Sequence, residues 1–350
     1  MSKRLKKVCV IGHFGFGHNL LNGQTVKTKI VTDELEKRFP DEVLRIDTHG
    51  GVKNLIKAPI QIFKALKQAQ NVVIFPAHNG LRVYAPLSAF ARRFFGGRRL
   101  HYVVIGGWLS EFLEEHKSLA KSLRGFDGIY VETNTMKRAL EAKGFKNIAV
   151  MPNCKGLEIL SSEALIYSES APYKLCTFSR VMREKGIEDI VNAVIAVNDR
   201  LGYLAYSLDI YGQVDAGQTE WFENLQKEFP EYVKYGGQVA FDKSGEVLRD
   251  YFALAFPTRF YTEGVPGTII DGYAAGVPVI SARWESFSDV VDDEATGYGF
   301  DMNDFEALTD LLERIAREPS LINSLKENCL KRACDFTPEN AISVLANKFD

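Results

Sequence analysis

Short runs of three to five mostly apolar residues alternate with longer amphipathic segments along the chain. Such runs are too short for helices and are typical of strands that a parallel sheet buries on both faces. In the first half the runs predict strands at 8–11, 43–46, 72–75, 102–105, 128–131 and 148–151. In the second half they predict strands at 175–178, 208–211, 233–235, 254–256 and 277–281. The alternation predicts an α/β fold with two Rossmann-like, doubly wound parallel-sheet domains that face a central cleft.

The strand and helix pattern lapses after Pro152 and Asn153 and resumes near residue 173. This lapse predicts a first domain over 1–160, a linker over 161–172 and a second domain over 173–334. The last segment, 335–350, contains Thr337 followed by Pro338, a typical helix start. We expect this segment to form a C-terminal helix that crosses back to the first domain.

Composition narrows the class of protein. Hydrophobic residues make up 46% of the 350 residues and charged ones 25%, which is typical of a globular protein and excludes wholesale disorder. No apolar run approaches the ~20 residues that span a bilayer, and the apolar run near the start is too short for a signal peptide. The five cysteines form no C-x-x-C pair, and neither they nor the six histidines have metal-ligand spacing. We therefore expect a cytoplasmic protein without a metal site.

The distribution of charge along the chain is uneven. Residues 1–155 contain 26 basic and 12 acidic side chains, net +14, whereas the remainder contains 17 and 33, net −16. The asymmetry favours an anionic partner for the first half: nucleic acid, anionic lipid or a phosphorylated substrate. Residues 89–99 combine four arginines with three phenylalanines, which is typical of a membrane surface, although a solvated helix end is the alternative. No nucleic-acid-binding motif is present, so we expect peripheral contact with the inner face of the cell membrane rather than nucleic acid.

A glycine-rich turn follows the first predicted strand. It runs from Gly12 to His18 and contains His13 and Gly15, and Gly23 follows it before a predicted helix. Glycines permit close backbone approach, and a helix N-terminus attracts anions. The spacing is not the dinucleotide fingerprint, for which Asp47 would have to supply the acidic residue. A tight turn without a ligand stays open as an alternative.

Two basic residues follow the strand at 175–178. Arg180 and Lys185 lie five positions apart, and Gly186 opens the next helix. Arginine can contact two phosphate oxygens at once, and lysine adds a mobile point charge, so the pair indicates a phosphate site that needs no metal. An exposed charged loop is the alternative.

A pair of carboxylates brackets a second turn. Glu263 precedes a Gly-Val-Pro-Gly sequence, and Asp271 lies eight positions later on the helix that this turn begins. Free amides of the turn can bind a phosphate or sugar oxygen, and carboxylates can accept hydrogen bonds from sugar hydroxyls.

Residues 263–280 resemble the signature of glycosyltransferase family four (group 1 glycosyltransferases), which are retaining enzymes of the GT-B fold. The shared pattern is a Glu, an acid eight positions later, an Ala-rich helix and a Gly-x-Pro-Val-Ile strand. Arg180 and Lys185 match the basic pair of the same family. The order of Gly23, Pro152–Asn153, Tyr211–Gly212 and 297–300 also fits, so the resemblance spans nearly the whole chain.

The resemblance implies transfer of a sugar from a nucleotide diphosphate sugar to a saccharide acceptor, with retention of configuration and without a cofactor or metal. It implies catalytic roles for Glu263, Arg180 and Lys185. It implies donor-binding roles for Gly264, Val265, Pro266, Gly267, Thr268, Asp271, Gly212, Gly15 and Gly23. The basic first domain adds the expectation of a lipid-linked saccharide acceptor in bacterial surface polysaccharide synthesis.

The chain departs from the family pattern at three places. Position 271 is Asp where the family has Glu, and Ser179 stands where Gly is frequent. Gly106-Gly107-Trp108 stands where many relatives have a His. His13, His78 and Trp108 are the candidates for an acceptor or cleft position instead. Two alternatives remain open: a sugar-nucleotide epimerase of the same fold, and a non-catalytic scaffold that binds a nucleotide.

Overall fold

The computed structural model describes residues 4–18, 23–240 and 243–349, with the side chains of 52 and 53 left out. The chain forms two compact units. One comprises Met1–Gly156 together with Phe336–Asp350, and the other comprises Leu157–Asp335.

The first unit contains a six-stranded parallel sheet in the order β2-β1-β3-β4-β5-β6. Its strands are β1 (Lys6–Gly12), β2 (Val43–Asp47), β3 (Ala69–Ile74), β4 (Arg99–Val103), β5 (Gly128–Val131) and β6 (Ile148–Val150). Its helices are α1 (Gly23–Arg38), α2 (Val52–Leu55), α3 (Ala58–Gln68), α4 (His78–Ala91), α5 (Leu109–Glu115), α6 (Lys117–Leu123), α7 (Asn134–Ala142) and, from the C-terminal segment, α16 (Pro338–Ala346). A 3₁₀ turn at Arg92–Phe94 follows α4.

Helices cover both faces of this sheet. Side chains alternate along β1, so Cys9 and Ile11 join the core that includes α3 and α4, and Val8 and Val10 join the core on the other face. The second core contains Val31 and Leu35 of α1 and also Ile342 and Leu345 of α16. The C-terminal helix is therefore part of the hydrophobic core of the first unit.

The second unit contains another six-stranded parallel sheet, in the order β12-β11-β10-β7-β8-β9. Its strands are β7 (Tyr173–Phe178), β8 (Tyr206–Tyr211), β9 (Val233–Gly237), β10 (Ala253–Phe256), β11 (Val279–Ala282) and β12 (Gly297–Phe300). Its helices are α8 (Ile187–Leu201), α9 (Thr219–Gln226), α10 (Ser244–Leu248), α11 (Gly267–Ala274), α12 (Phe287–Val290), α13 (Phe305–Arg317), α14 (Ser320–Asn323) and α15 (Lys326–Ala333). Short 3₁₀ turns lie at Ser162–Ala164, Arg183–Lys185 and Cys334–Phe336.

Residues 157–172 also pack on the second unit. The amide of Leu160 donates to the carbonyl of Ala274 at 2.8 Å, and the side-chain amide of Asn323 donates to the carbonyl of Ser168 at the same distance.

The predicted fold class is confirmed, since all eleven predicted strands are present within two parallel sheets. One strand, β12, has no counterpart in the predicted set because its sequence Gly-Tyr-Gly-Phe has a low strand propensity. Gly297 is required there by packing, because a Cβ would lie 2.2 Å from the carbonyl oxygen of Val279. Among the described residues, no helix has the length and apolar character needed to cross a bilayer.

Candidate functional site

The strand order of the second sheet has a switch point between β7 and β10. These strands are neighbours although the chain visits β8 and β9 between them. Ligands of open α/β sheets bind beyond the carboxyl ends of the strands at such a point. The loop after β7 contains Arg180 and Lys185, and the loop after β10 contains Glu263.

The structure brings Lys185 and Glu263 into contact. Nζ of Lys185 donates a hydrogen bond to Oε1 of Glu263, and each side chain is 17% exposed. The ammonium group also lies 4.9 Å from the ring centroid of Phe260 and 5.5 Å from that of Phe256. Little water therefore reaches this ion pair. The lower local dielectric strengthens the attraction between its two charges.

The two loops are joined through their backbones. The amide of Arg259 donates to the carbonyl of Glu184 at 2.9 Å. Gly186 has a left-handed conformation with φ of 70°, and a Cβ there would lie only 1.9 Å from the carbonyl oxygen of Pro257. Glycine at 186 therefore permits the close approach that places Lys185 beside the β10 loop.

Backbone hydrogen bonds fix the segment that contains Arg180, and the Arg180 side chain is exposed. On either side of it, the amides of Ser179 and Val181 donate to the carbonyls of Tyr211 and Gln213, at 3.1 and 2.9 Å. The guanidinium is 61% exposed and lies 3.5 Å from a carboxylate oxygen of Asp215. Within the described residues, no hydrogen bond or ion pair joins this guanidinium to Lys185 or Glu263.

Backbone conformation and packing require glycine at position 212. Its φ is 135°, and a Cβ would lie 1.7 Å from the carbonyl oxygen of Ser179. The predicted donor-binding role of Gly212 stays a prediction beside this packing requirement.

The turn after Glu263 leads into the N-terminus of α11. Gly264 and Val265 are buried, Pro266 precedes the helix in extended conformation, and Gly267 is its first residue. The first amides of a helix have no intrahelical acceptor. In addition, the hydroxyl of Thr268 is buried and has no hydrogen-bond partner among the described residues. An oxygen-rich ligand at this helix end would satisfy these donors.

Asp271 lies further along α11 and is 7% exposed. Its Oδ2 accepts a hydrogen bond of 2.7 Å from the hydroxyl of Ser244 at the start of α10. The sequence reasoning missed Ser244, and it also missed Thr258, whose hydroxyl lies 3.1 Å from Oε1 of Glu263. Thr258 could have been found from its place directly after β10, whereas nothing in the sequence around Ser244 points to Asp271. The predicted ribose contact of Asp271 stays a prediction.

In the first unit, the glycine-rich turn is organised by Asp47. Its Oδ1 accepts hydrogen bonds from the amides of Phe14, Gly15 and His49, and its Oδ2 accepts one from Phe16, at 2.8–3.2 Å. Burial alone would raise the pKa of Asp47, but these four amides lower it below its ordinary value. The Asp47 carboxylate therefore stabilises the turn.

His13 lies at the carboxyl end of β1 and is linked to Thr25 and His49. Its Nδ1 lies 2.7 Å from Oγ1 of Thr25, and its Nε2 lies 3.1 Å from Nδ1 of His49. Burial and the neighbouring charge of His49 lower the pKa of His13, so its ring is neutral near pH 7. Gly15 is buried in the turn with φ of 61°, and Gly23 begins α1.

His78 and Trp108 form a second cluster in the first unit. Their rings stack with centroids 3.9 Å apart, and Phe112 packs edge-on against both. Burial lowers the pKa of His78. No hydrogen bond or ring contact joins this cluster to His13 in the part of the chain that the structure describes. Over residues 4–18, 23–240 and 243–349, no three His, Cys, Asp or Glu side chains are grouped to hold a metal ion.

Comparisons with known proteins bear on this site. Residues 172–318 match the family model "Glycosyl transferases group 1". No curated protein sequence matches the chain. Among solved structures, HepE from Anabaena has a TM-score of 0.73 at 12% identity, over 97% of this chain and 98% of that one. Sucrose-phosphate synthase from Thermosynechococcus elongatus has a TM-score of 0.72 at 14% identity, over 98% of each chain.

TarM from S. aureus has a TM-score of 0.66 at 14% identity over 85% of this chain, and this chain spans about 58% of the length of TarM. The matched residues 172–318 include Arg180, Lys185, Glu263 and Asp271, and the solved structures establish the fold. The choice of family four within these enzymes stays a prediction. The resemblance to group 1 glycosyltransferases is confirmed over residues 172–318, and the chain has the GT-B fold of such enzymes.

Proposed function

We propose that the protein is a retaining glycosyltransferase that moves a sugar from a nucleotide diphosphate sugar to a saccharide acceptor. The observation that carries this proposal is the contact between Lys185 and Glu263 at the switch point of the second sheet, within the segment that matches the family model. The cation can bind the anionic diphosphate of a nucleotide diphosphate sugar. The carboxylate beside it can accept hydrogen bonds from the hydroxyl groups of the sugar.

In the proposed complex, Arg180 and Lys185 bind the diphosphate and Glu263 accepts hydrogen bonds from the donor sugar. Lys185 then exchanges part of its contact with Glu263 for a phosphate oxygen. The unpartnered hydroxyl of Thr268 and the first amides of α11 supply further donors. Asp271 is assigned to the ribose, with Ser244 fixing one of its oxygens.

Cleavage of the donor's glycosidic bond builds negative charge on the leaving phosphate oxygen and positive charge on the sugar ring. Fixed cations at that oxygen stabilise the transition state more than the ground state, and this electrostatic contribution is usually the largest one in enzymes. The departing phosphate can accept the proton of the acceptor hydroxyl, so the proposed mechanism needs neither a side-chain base nor a metal ion.

UDP is the nucleotide to test first. HepE was solved with UDP and with UDP-glucose, and TarM was solved with UDP. The acceptor is proposed to be a lipid-linked saccharide of bacterial surface polysaccharide synthesis, at the inner face of the cell membrane. The net charge of +14 over residues 1–155 supports an anionic acceptor.

Thermal unfolding with UDP, GDP, dTDP and ADP tests donor binding, because a ligand at about 100 times its Kd adds ~2.7 kcal/mol of stability. We expect one nucleotide to stabilise the wild-type protein and to stabilise Lys185→Gln much less. Lys234→Gln, an exposed position on β9, is the matched control and should respond like wild type.

Turnover then distinguishes the alternatives. Consumption of the donor only when saccharide acceptors are present, with retained anomeric configuration by NMR, supports the proposal. Isomerisation of the donor without an acceptor would indicate an epimerase, and nucleotide binding without any turnover would indicate a scaffold.

A further inference from the structure

Five large apolar side chains lie exposed within one stretch of the first unit. They are Ile56, Ile60, Phe63, Phe90 and Phe94, and their exposed fractions range from 54% to 77%. We call them the apolar patch. Apolar side chains so exposed, when contiguous, mark a site where a protein meets a membrane or another protein.

Ring contacts connect the two parts of the patch. Phe63 of α3 packs edge-on against Phe95, with ring centroids 5.2 Å apart, and Phe90 packs edge-on against Phe94 at 5.5 Å. Phe94 and Phe95 are adjacent in the turn that follows α4. The exposed rings therefore belong to one continuous surface of α3 and the end of α4.

Helix α3 is amphipathic in an unusual way. Its inner face buries Ala58, Ile62, Ala65 and Leu66. Its outer face places Ile60 and Phe63, three residues apart, beside Lys57, Lys64 and Lys67. An ordinary solvent-exposed face would have mixed charges and few large apolar groups. This outer face has instead apolar side chains among lysines.

The charge around the patch has a single sign. No acidic residue occurs between Asp47 and Glu111, whereas nine lysines and arginines lie in that stretch. Arg92 is paired with Asp127 at 2.7 Å. Lys57, Lys64, Lys67 and Arg93 form no ion pair with any described residue. Exposed apolar groups among unpaired cations complement a bilayer whose headgroups are anionic and whose interior is apolar.

We propose that the apolar patch is a membrane-docking surface that inserts Ile60, Phe63 and Phe94 into the headgroup region of an anionic bilayer. Lys57, Lys64, Lys67 and Arg93 contact lipid phosphates around the inserted side chains. The inference concerns a surface rather than the transfer reaction, so it can fail while the proposed function stands, and the reverse also holds.

Vesicle sedimentation of the purified protein without donor or acceptor tests the proposal. The probes are vesicles of phosphatidylcholine alone and vesicles that contain about one-third phosphatidylglycerol. We expect wild type to bind only the anionic vesicles and to bind more weakly as salt screens the charges. Each basic residue near an anionic surface contributes about a fivefold gain in partitioning, so Lys57→Glu with Lys64→Glu and Lys67→Glu should lose about 100-fold or more.

The apolar contribution is tested separately by Phe63→Ser combined with Phe94→Ser. We expect at least about a tenfold loss of binding to anionic vesicles, because the apolar area inserted into lipid is removed. The matched control is Tyr203→Ser with Leu204→Ser, which removes two exposed apolar side chains from the second unit and should leave binding unchanged. All four substituted apolar positions are exposed, so thermal unfolding should be similar to that of wild type.

Three results would overturn the proposal. Wild type could fail to bind anionic vesicles, or the control pair could lose as much binding as the Phe63 and Phe94 pair. Alternatively, wild type could elute as a dimer that becomes a monomer in the Phe63 and Phe94 variant without any vesicle binding, which would assign the patch to a second copy of the chain.

Discussion

Oγ1 of Thr258 lies 3.1 Å from Oε1 of Glu263, the same carboxylate oxygen that Lys185 contacts. Thr258 is almost fully buried, and its hydroxyl also accepts a hydrogen bond of 3.2 Å from the amide of Phe260. The threonine therefore connects the orientation of Glu263 to the backbone of the β10 loop. It acts as a positioning residue for the carboxylate in the proposed mechanism.

Thr258→Val keeps the shape of the side chain and removes the hydroxyl. We expect kcat to fall about 10- to 100-fold, since a hydrogen bond to a charged group contributes about 1.5–3 kcal/mol. The KM for the donor should change little if the carboxylate acts mainly in the transition state. Steady-state kinetics of the two parameters measures this split.

Thr258→Ser restores the hydroxyl and should recover most of the rate. Glu263→Gln should lower kcat by about 10²–10³-fold, as expected for loss of an electrostatic contact to the reacting centre. Glu220→Gln, at an exposed position of α9, is the control for a lost carboxylate. Equal losses in Thr258→Val and Thr258→Ser would reduce Thr258 to a packing role.

Removal of metal ions should leave the transfer rate unchanged within about twofold. The positive charge that the leaving phosphate needs is supplied in our proposal by Arg180, which is 61% exposed, and by Lys185. The measurement is donor turnover after dialysis against EDTA, with and without added Mg²⁺ or Mn²⁺. Loss of activity with EDTA and recovery with either ion would contradict the proposed mechanism.

The resemblance to group 1 glycosyltransferases predicted Arg180, Lys185 and Glu263 as one group, and each of these residues follows a predicted strand. Parallel strands end at the same edge of a sheet, so residues after them come close together when their strands are neighbours. The pairing of β7 with β10 is not local information, and only the structure places Lys185 beside Glu263.

Other features depended on side-chain contacts that no spacing reveals. Asp47 could be considered only as the acid of a dinucleotide site, whereas its oxygens accept four backbone amides of the glycine-rich turn and of His49. Ser244 reaches Asp271 from a separate helix, 27 positions away along the chain. Strand β12 was missed because tertiary packing overrides the weak local preference of its two glycines.

Gly186→Ala should destabilise the second unit strongly. An alanine there combines a φ of 70° with a Cβ only 1.9 Å from the carbonyl oxygen of Pro257. We expect a loss of about 3 kcal/mol or more, from left-handed backbone strain together with overpacking. Urea denaturation monitored by tryptophan fluorescence measures the change.

Gly202 provides a matched control at the other end of the same helix, α8. Its φ is 71°, nearly identical, but no heavy atom lies within 4 Å of the position of an added Cβ. Gly202→Ala should therefore cost only the backbone strain, about 1–2 kcal/mol. A similar loss in both variants would show that close approach to Pro257 is unimportant.

Acid should destabilise the first unit through His101. This histidine lies on β4 and is 1% exposed, with Nδ1 3.1 Å from the hydroxyl of Tyr130 and Nε2 3.2 Å from Oδ1 of Asn71. Burial lowers its pKa from 6.5 to about 4. Between these two values the unfolded chain binds a proton that the folded chain does not, so stability falls as the pH falls from 6.5 toward 4.

By pH 5 the loss from His101 should be about 2 kcal/mol relative to pH 7.5. Urea denaturation at the two pH values measures it in wild type and in His101→Gln, whose stability should depend less on pH by that amount. The comparison uses the difference between pH values, so a lower overall stability of the variant does not affect it. If His101→Gln keeps the pH dependence of wild type, proton binding by the unfolded chain at His101 does not cause the acid destabilisation.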